Sequence, residues 1–263
     1  MSTVQILCGD AVEQLRTLED ASIPLVVTSP PYDDLRRYGG YQLDFNDLAK
    51  QLYRVLVPGG VLCWNVGDSV VDGSETLTSF RQALYFVDTV GFRMHDTMIY
   101  EKVNFGQPSH NRYHQLFEYV FILSKGKPRT FNPIKDKANA WAGTGTFGKN
   151  TMRESNGEMG ERTRNIIADF GMRGNVWRGK TRGQEELCES LPHPAMMPKW
   201  LARDLILSWS NPGDMVCDPM AGSGTVGVAA IENGRSAILI DCNPEYCELM
   251  RQQTDVTPGF QFA

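Results

Sequence analysis

Four consecutive residues have groups suited to holding an amine: Ser29, Pro30, Pro31 and Tyr32. The two prolines fix the backbone and remove two amide donors, which leaves the Ser29 hydroxyl, the Pro30 carbonyl and the Tyr32 ring available to a ligand. Two oxygen acceptors can hold both hydrogens of an exocyclic amine, and the ring can stack on a flipped base. Beside a pocket for a nucleoside cofactor, such a segment predicts attack by that amine on a methyl donor, with positioning supplying most of the catalysis.

A glycine-rich turn follows much later in the chain and consists of Asp218, Pro219, Met220, Ala221, Gly222, Ser223, Gly224 and Thr225. Its glycines allow a tight turn and a close approach to a ligand, and the helix that begins after it adds partial positive charge. Asp241 closes the next predicted strand, a position typical of an acid that binds ribose hydroxyls. The turn therefore predicts an adenosine-type cofactor.

A dinucleotide cofactor is the alternative for this turn, because Gly222, Gly224 and Gly227 also satisfy the GxGxxG spacing. Only one further strand–helix unit follows the turn, which is too little chain to complete a two-part dinucleotide site. The spacing therefore favours a smaller adenosine cofactor over NAD(P).

Strands and helices alternate along most of the chain. The apolar patterns predict strands over 4–8, 25–28, 61–66, 92–101, 118–123, 215–218 and 237–241, with helices over 11–18, 45–56, 78–90, 198–208, 225–233 and 244–253. Such alternation predicts an α/β fold with a doubly wound, mostly parallel sheet and helices on both faces.

Charge is distributed unevenly over the 263 residues, whose net charge is −5. Residues 125–183 contain 13 Lys and Arg against 5 Asp and Glu, a local charge of +8, so the remaining residues carry −13. A basic arm on an acidic body is typical of a protein that binds nucleic acid through one region, although polar loops also collect Lys and Arg. The regular pattern stops over the same region, which indicates an insertion.

Other classes of site receive little support from the sequence. The six cysteines form no CxxC pair and the four histidines have no zinc spacing, so we expect no metal site. The apolar stretches are strand-sized, and Met1 leads directly into a predicted strand without room for a signal peptide. We therefore expect a cytoplasmic protein; that its cell is prokaryotic or phage-infected is implied only by the family resemblance of the motifs.

The motifs, taken in order, resemble the S-adenosylmethionine-dependent DNA amino-methyltransferases of the β class, and the resemblance covers nearly the whole chain. Residues 25–32 match the catalytic motif, and 218–225 match the glycine motif with Met220 in place of the usual Phe. Residues 193–198 resemble the His-Pro-x-x-x-Pro segment before a helix beside the cofactor, and 241–246 resemble the acidic strand end, with Asp241 where Glu is more usual. Gly9 and Asp10 resemble the short motif whose acid reaches the cofactor adenine.

The resemblance implies a circularly permuted, Rossmann-like methyltransferase fold. It places the catalytic and cofactor-binding domain at 1–124 and 192–256, a target-recognition insertion at 125–191 and a tail at 257–263. It implies S-adenosyl-L-methionine as cofactor, bound by Asp10, Thr28, His193, Pro194, Pro198, the eight residues Asp218 to Thr225, Asp241 and Cys242. For contacts with DNA, the candidates are Arg173, Trp177, Arg178, Lys180 and Arg182, and the loop 38–41 could close over the flipped base.

The implied activity is site-specific methylation of an exocyclic amine in duplex DNA. N4 of cytosine is favoured over N6 of adenine, because Ser at the position of Ser29 is associated with cytosine in relatives. Methylation at carbon 5 is disfavoured, since that reaction usually uses a cysteine in a Pro-Cys context and no Pro-Cys dipeptide occurs. An RNA or small-molecule methyltransferase and a catalytically silent DNA-binding relative remain as alternatives. A cognate restriction endonuclease and the choice between monomer and homodimer stay open.

Overall fold

A computed structural model describes residues 2–31, 43–103, 111–145, 151–153, 157–161, 166–181, 196–255 and 260–262. It has two compact units, a large one formed by 1–132 and 175–263 and a small one formed by 133–174. The small unit occupies the middle of the predicted insertion, and the strand Val176–Gly179 belongs to the large unit. The functional division into a catalytic domain and a target-recognition insertion stays a prediction.

The strands of the large unit are β1 (Ser2–Cys8), β2 (Ile23–Thr28), β3 (Leu56–Val66), β4 (Val70–Val71), β5 (Ser74–Glu75), β6 (Arg93–Lys102), β7 (Phe117–Ser124), β12 (Val176–Gly179), β13 (Met215–Asp218), β14 (Ser236–Asp241) and β15 (Phe260–Phe262). The small unit contributes β8 (Lys137–Ala138), β9 (Thr151–Arg153), β10 (Met159–Glu161) and β11 (Phe170–Gly171). The helices are α1 (Ala11–Thr17), α2 (Phe45–Val55), α3 (Thr78–Leu84), α4 (Lys199–Trp209), α5 (Thr225–Glu232) and α6 (Pro244–Asp255), and a π-helical turn, Tyr85–Val90, continues α3.

Within the described residues, nine strands form one sheet in the order β12-β6-β7-β3-β2-β13-β14-β1-β15. All neighbours pair in parallel except that β7 is antiparallel to both β3 and β6. The predicted mostly parallel α/β sheet is therefore confirmed. Parallel pairing brings the carboxyl ends of β1, β14, β13, β2 and β3 to one edge, where ligands bind in open α/β sheets.

Helices cover both faces of this sheet. Apolar residues of α1, α2 and α3 pack on one face together with Leu62, Trp64 and Val66 of β3. Val61 and Cys63, which alternate with these residues, are buried on the opposite face. The Trp64 indole is fully buried, donates to Gln82 Oε1 at 2.9 Å and meets the Phe86 ring edge-on at 5.1 Å. Burial on both faces is why the central strands lack a polar alternation in the sequence.

One predicted boundary is wrong. We expected the segment 58–60 to separate α2 from a strand that begins at 61, but β3 begins at Leu56. Gly59 adopts a φ of +78° and its amide donates to Lys125 O at 2.7 Å, so the chain turns locally while it stays in the strand. The sequence analysis also missed β12, which lies within the predicted insertion and pairs with β6.

The small unit is built from short antiparallel pairs, β8 with β11 and β9 with β10. Within it, Arg173 forms an ion pair with Asp136, and the Arg173 amide donates to Ile134 O at 2.9 Å. Several large apolar side chains of the unit are exposed, namely Trp141, Ile166, Phe170 and Met172.

Candidate active site

Three acidic residues lie at the carboxyl ends of adjacent strands. Asp218 ends β13, Asp241 ends β14 and Asp10 follows β1. The predicted catalytic segment begins directly after β2, the neighbour of β13 on the other side. The motifs that stand far apart in the sequence therefore share one edge of the sheet.

A buried hydrogen bond connects the catalytic segment to the glycine turn. The Thr28 hydroxyl donates to Asp218 Oδ1 at 2.7 Å, and the Met220 amide donates to the same oxygen at 3.1 Å. Burial raises the pKa of Asp218 to about 7, although both hydrogen bonds act in the opposite direction. Thr28 and Asp218 are both buried. Their hydrogen bond therefore connects the start of the catalytic segment to the start of the glycine turn beneath the protein surface.

The glycine turn depends on backbone conformations that side chains disfavour. Gly222 and Gly224 have φ of +52° and +83°, in the left-handed region. A Cβ on Gly224 would also lie 2.8 Å from Met250 Cγ. The Ala221 amide donates to Ile240 O at 2.8 Å, so the turn lies against the end of β14.

Backbone amides orient the Asp241 carboxylate. Its Oδ2 accepts from the Gly222 amide and its Oδ1 from the Asn243 amide, both at 2.8 Å. A carboxylate offers about four lone-pair sites, so each oxygen can still accept a hydroxyl. An oriented acid beside the two glycines of the turn fits the ribose of an adenosine cofactor.

Asp10 stands next to Asp241 because β1 pairs with β14. Its Oδ1 accepts from the Glu13 amide at 2.9 Å and caps α1, while the Gly9 amide donates to Asp241 O at 2.9 Å. Cys242, the residue after Asp241, is exposed as a whole, but its thiol is partly buried. This desolvation, and to a smaller extent the charge of Asp241, raises the pKa of the thiol. The acids at these two strand ends are suited to the amine and hydroxyl donors of an adenosine.

The structure places the other predicted site residues as follows. Ser29 and Pro31 are half-buried and Pro30 is buried directly after β2. Pro198 is buried at the start of α4, where its carbonyl accepts from the Leu201 amide at 2.9 Å. Outside the described residues lie Tyr32, the loop 38–41, His193 and Pro194.

The predicted DNA-binding residues have different surroundings. Trp177 lies in β12 and is only 7% exposed, so its side chain is buried. Arg178 and Lys180 are both exposed. Arg178 Nε lies 3.4 Å from Glu101 Oε1. Arg173 belongs to the small unit, and its hydrogen bonds to Asp136 lower the pKa of that carboxyl. Arg182 lies outside the described residues.

A polar cluster at the same edge includes two residues, Asn65 and Lys102, that the sequence analysis did not single out. Asn65, near the end of β3, donates through Nδ2 to Glu118 Oε2 at 2.7 Å, and Lys102 Nζ lies 2.5 Å from Glu118 Oε1. The signal was an Asn inside the apolar run 61–66, since a buried amide needs partners. Among the described residues, no group of three or more His, Cys, Asp or Glu could hold a metal ion.

None of the helices in the described part of the chain combines the length and hydrophobicity that a membrane crossing requires.

Comparison with known proteins gives concordant results. A family described as DNA methylase, named for N6 and N4 methyltransferases, matches residues 23–252. The orphan methyltransferase M.BamHII of Bacillus amyloliquefaciens is 47% identical over 237 residues, which cover 89% of each chain. The PvuII DNA methyltransferase (cytosine-N4-specific) superposes with a TM-score of 0.68 at 22% identity, over 95% of this chain and 86% of that chain. M1.HpyAVI in complex with SAM gives a TM-score of 0.61 at 19% identity, over 95% and 99% of the two chains.

Proposed function

Because the chain belongs to the N6 and N4 DNA methylase family, we propose that it methylates the exocyclic amine of a flipped base in duplex DNA, with N4 of cytosine favoured. One observation carries the assignment of the site. The Thr28–Asp218 bond of 2.7 Å joins the segment that presents amine acceptors to the turn that suits an adenosine cofactor. A reaction between a base amine and a nucleoside-borne methyl group needs these two pockets side by side.

The cofactor pocket consists of residues at three strand ends. S-adenosyl-L-methionine, when bound, supplies an electrophilic sulfonium methyl group. Asp241 accepts hydrogen bonds from the ribose hydroxyls, and Asp10 accepts from the adenine amine. The glycine turn brings backbone close to the cofactor because Gly222 and Gly224 carry no Cβ. Pro198, buried at the start of α4, belongs to the segment that we assign to the methionine side of the cofactor. His193 and Pro194 of the same segment keep the cofactor-binding role that the resemblance implies.

The catalytic segment holds and orients the amine. The Ser29 hydroxyl and the Pro30 carbonyl each accept one of its two hydrogens, which weakens the delocalisation of the nitrogen lone pair into the base. Pro31 keeps the loop rigid and the Tyr32 ring stacks on the base. After transfer, the nitrogen returns to neutrality by releasing one proton to water, so no covalent intermediate with the protein is required.

N4 of cytosine is favoured on the identity of Ser29, and N6 of adenine is the second candidate because both amines present the same two donors. Arg178 and Lys180, whose side chains are exposed, contact phosphates, and the small unit contributes to the choice of DNA sequence. Trp177 has no place in this contact because its ring is buried.

The test is mass spectrometry of nucleosides from unmethylated synthetic duplexes incubated with the protein and S-adenosylmethionine that carries a deuterated methyl group. Deuterated N4-methylcytosine is the expected product, and Ser29→Ala is the matched control that binds cofactor but transfers the methyl group much more slowly. Deuterated N6-methyladenine would overturn the choice of base. Methylation of RNA alone would overturn the choice of polymer, and cofactor binding without any methylated product would indicate a silent relative.

We also propose that the chain acts in the cytoplasm without direct contact with a restriction endonuclease. Activity of the purified chain on its own would support this, and sedimentation at the concentration of the assay would distinguish a monomer from a homodimer. A requirement for a second protein, or activity found only in a membrane fraction of the producing cell, would contradict it.

A further inference from the structure

Asn65 occupies the position on β3 that corresponds to Ser29 on β2. Thr28 pairs with Trp64 in the parallel ladder, so Ser29 and Asn65 each follow the last paired residue. Neighbouring strands lie about 4.8 Å apart, which places the Asn65 backbone one strand spacing from the catalytic segment. Asn65 is only 2% exposed, so its side-chain amide is buried at the edge of the sheet where the candidate site lies.

Two charged residues on the following strands hold the Asn65 side chain. Its Nδ2 donates to Glu118 Oε2 of β7 at 2.7 Å, and Glu118 Oε1 lies 2.5 Å from Lys102 Nζ of β6. Hydrogen bonds to charged groups are roughly twice as strong as bonds between neutral groups. The three strands therefore fix the amide more firmly than packing alone would.

The carboxylate also decides which way the amide faces. A carboxylate accepts hydrogen bonds and donates none, so the nitrogen of Asn65 must face Glu118. The amide oxygen then lies on the side of Asn65 opposite to Glu118. Since Lys102 neutralises the charge of Glu118, the arrangement presents a neutral acceptor at the end of β3 without a second negative charge in the site.

A serine hydroxyl can accept from an amine only when its own proton is directed to another acceptor. We infer that Asn65 is a positioning residue for Ser29: its Oδ1 accepts the Ser29 proton, so that a lone pair of the Ser29 hydroxyl faces the substrate amine. Glu118 and Lys102 act through Asn65 by keeping its oxygen in this orientation. The inference rests on the proposed function, in which Ser29 holds the amine.

The first experiment replaces the amide with an apolar side chain of similar size. Asn65→Leu should lower kcat about 10²-fold, the effect of misplacing a reacting group, while KM for DNA and Kd for S-adenosylmethionine change less than about twofold. The matched control is Asn132→Leu, which removes another amide, one that donates to Leu207 O at 3.2 Å and Ser210 O at 3.0 Å near the end of α4. This control should lower Tm and leave kcat unchanged.

The second experiment exchanges the two partners. Asn65→Asp alone places two carboxylates side by side and should lower both Tm and kcat. In the double variant Asn65→Asp with Glu118→Gln, the new amide at 118 can donate to the new carboxylate at 65, which still has an oxygen for the Ser29 proton. We expect kcat of the double variant to exceed that of Asn65→Asp at least about tenfold, a recovery of roughly 1.4 kcal/mol in the barrier.

The outcomes separate the inference from the function on which it rests. Wild-type kcat in Asn65→Leu would overturn the inference, as would a double variant that regains Tm without regaining kcat. A wild-type protein that binds S-adenosylmethionine and methylates no amine would instead overturn the proposed function.

Discussion

The candidate site has two halves that are built in different ways: a cofactor half at the ends of β1, β13 and β14, and an amine half at the ends of β2 and β3. In the cofactor half, backbone amides orient the acids: Gly222 and Asn243 donate to Asp241, and Glu13 donates to Asp10. In the amine half, side chains orient one another, since Asn65 is held by Glu118 and Glu118 by Lys102. A backbone-built pocket requires particular residues at fixed spacing, whereas a side-chain network requires only that its members meet in space. A pocket built from backbone can therefore be recognised as a sequence motif, whereas a side-chain network can be recognised only in the folded structure.

Ser29→Ala should produce the largest change and tests the amine half directly. Loss of one acceptor that is aimed at the reacting amine should lower kcat about 10²- to 10³-fold, a magnitude known for single groups of preorganised sites. Kd for S-adenosylmethionine, measured by calorimetry, should stay within about twofold. A loss of cofactor affinity equal to the loss of turnover would show that the two halves are not separate.

Asp241→Asn should give the complementary result in the cofactor half. The Asn side chain keeps one neutral acceptor oxygen and gains an NH2 donor, so one of the two backbone amides loses its acceptor and every remaining hydrogen bond loses its charged partner. We expect Kd for S-adenosylmethionine to rise at least about tenfold, since hydrogen bonds to charged groups contribute roughly 1.5–3 kcal/mol. Turnover at saturating cofactor should change much less, and a kcat as low as that of Ser29→Ala would contradict the division.

Gly224→Ala tests whether the turn needs close approach as well as an unusual φ. The new Cβ would lie 2.8 Å from Met250 Cγ at a φ of +83°. Gly213→Ala is the matched control, because Gly213 has a φ of +86° and no atom within 4 Å of an added Cβ. Both variants should lose about 1–2 kcal/mol of stability from the left-handed conformation. Only Gly224→Ala should also weaken cofactor binding, which equilibrium dialysis would measure.

Thr28→Val should have the smallest effect, about 1 kcal/mol in the free energy of unfolding. The pKa of the Asp218 carboxyl is about 7 in the folded chain, against an ordinary value of 3.8. Stability therefore falls as the pH rises from the lower to the higher of these values, and above the higher value the full cost of the ionised Asp218 is present. The Thr28 hydroxyl favours the ionised form, and its loss should therefore cost more stability at pH 8.5 than at pH 5.5. Urea unfolding at both pH values checks this, and an equal loss at both would show that the bond does not act on the charge.

The sequence predicted most of the sheet because its central strands are continuous apolar runs, such as 25–28 and 237–241, bounded by turns. It led to a candidate cofactor half because glycines and an acid at the end of a strand are local requirements, and the role of these residues stays a prediction. The antiparallel direction of β7 and the pairing of β12 with β6 depend on contacts between distant segments, and no local pattern encodes them.

The amine half was predicted only in part, for the same reason. Ser29 and Pro30 stand in a recognisable tetrapeptide, but Asn65, Glu118 and Lys102 come from three separate strands. Trp177 was chosen for its place among basic residues, and burial of its ring follows from pairing that the sequence analysis did not anticipate. Basic composition alone does not distinguish a residue that faces DNA from one that faces the core.

The bond between Thr28 and Asp218 has a consequence for how each ligand changes the affinity of the protein for the other ligand. It connects the segment proposed to hold the base with the turn proposed to hold the cofactor, so we expect a ligand that orders one of them to reduce the ordering cost left for the other. Such coupling is reciprocal: the factor by which cofactor raises affinity for DNA equals the factor by which DNA raises affinity for cofactor. Thr28→Val should reduce both factors equally, so that the two ligands bind more independently of each other.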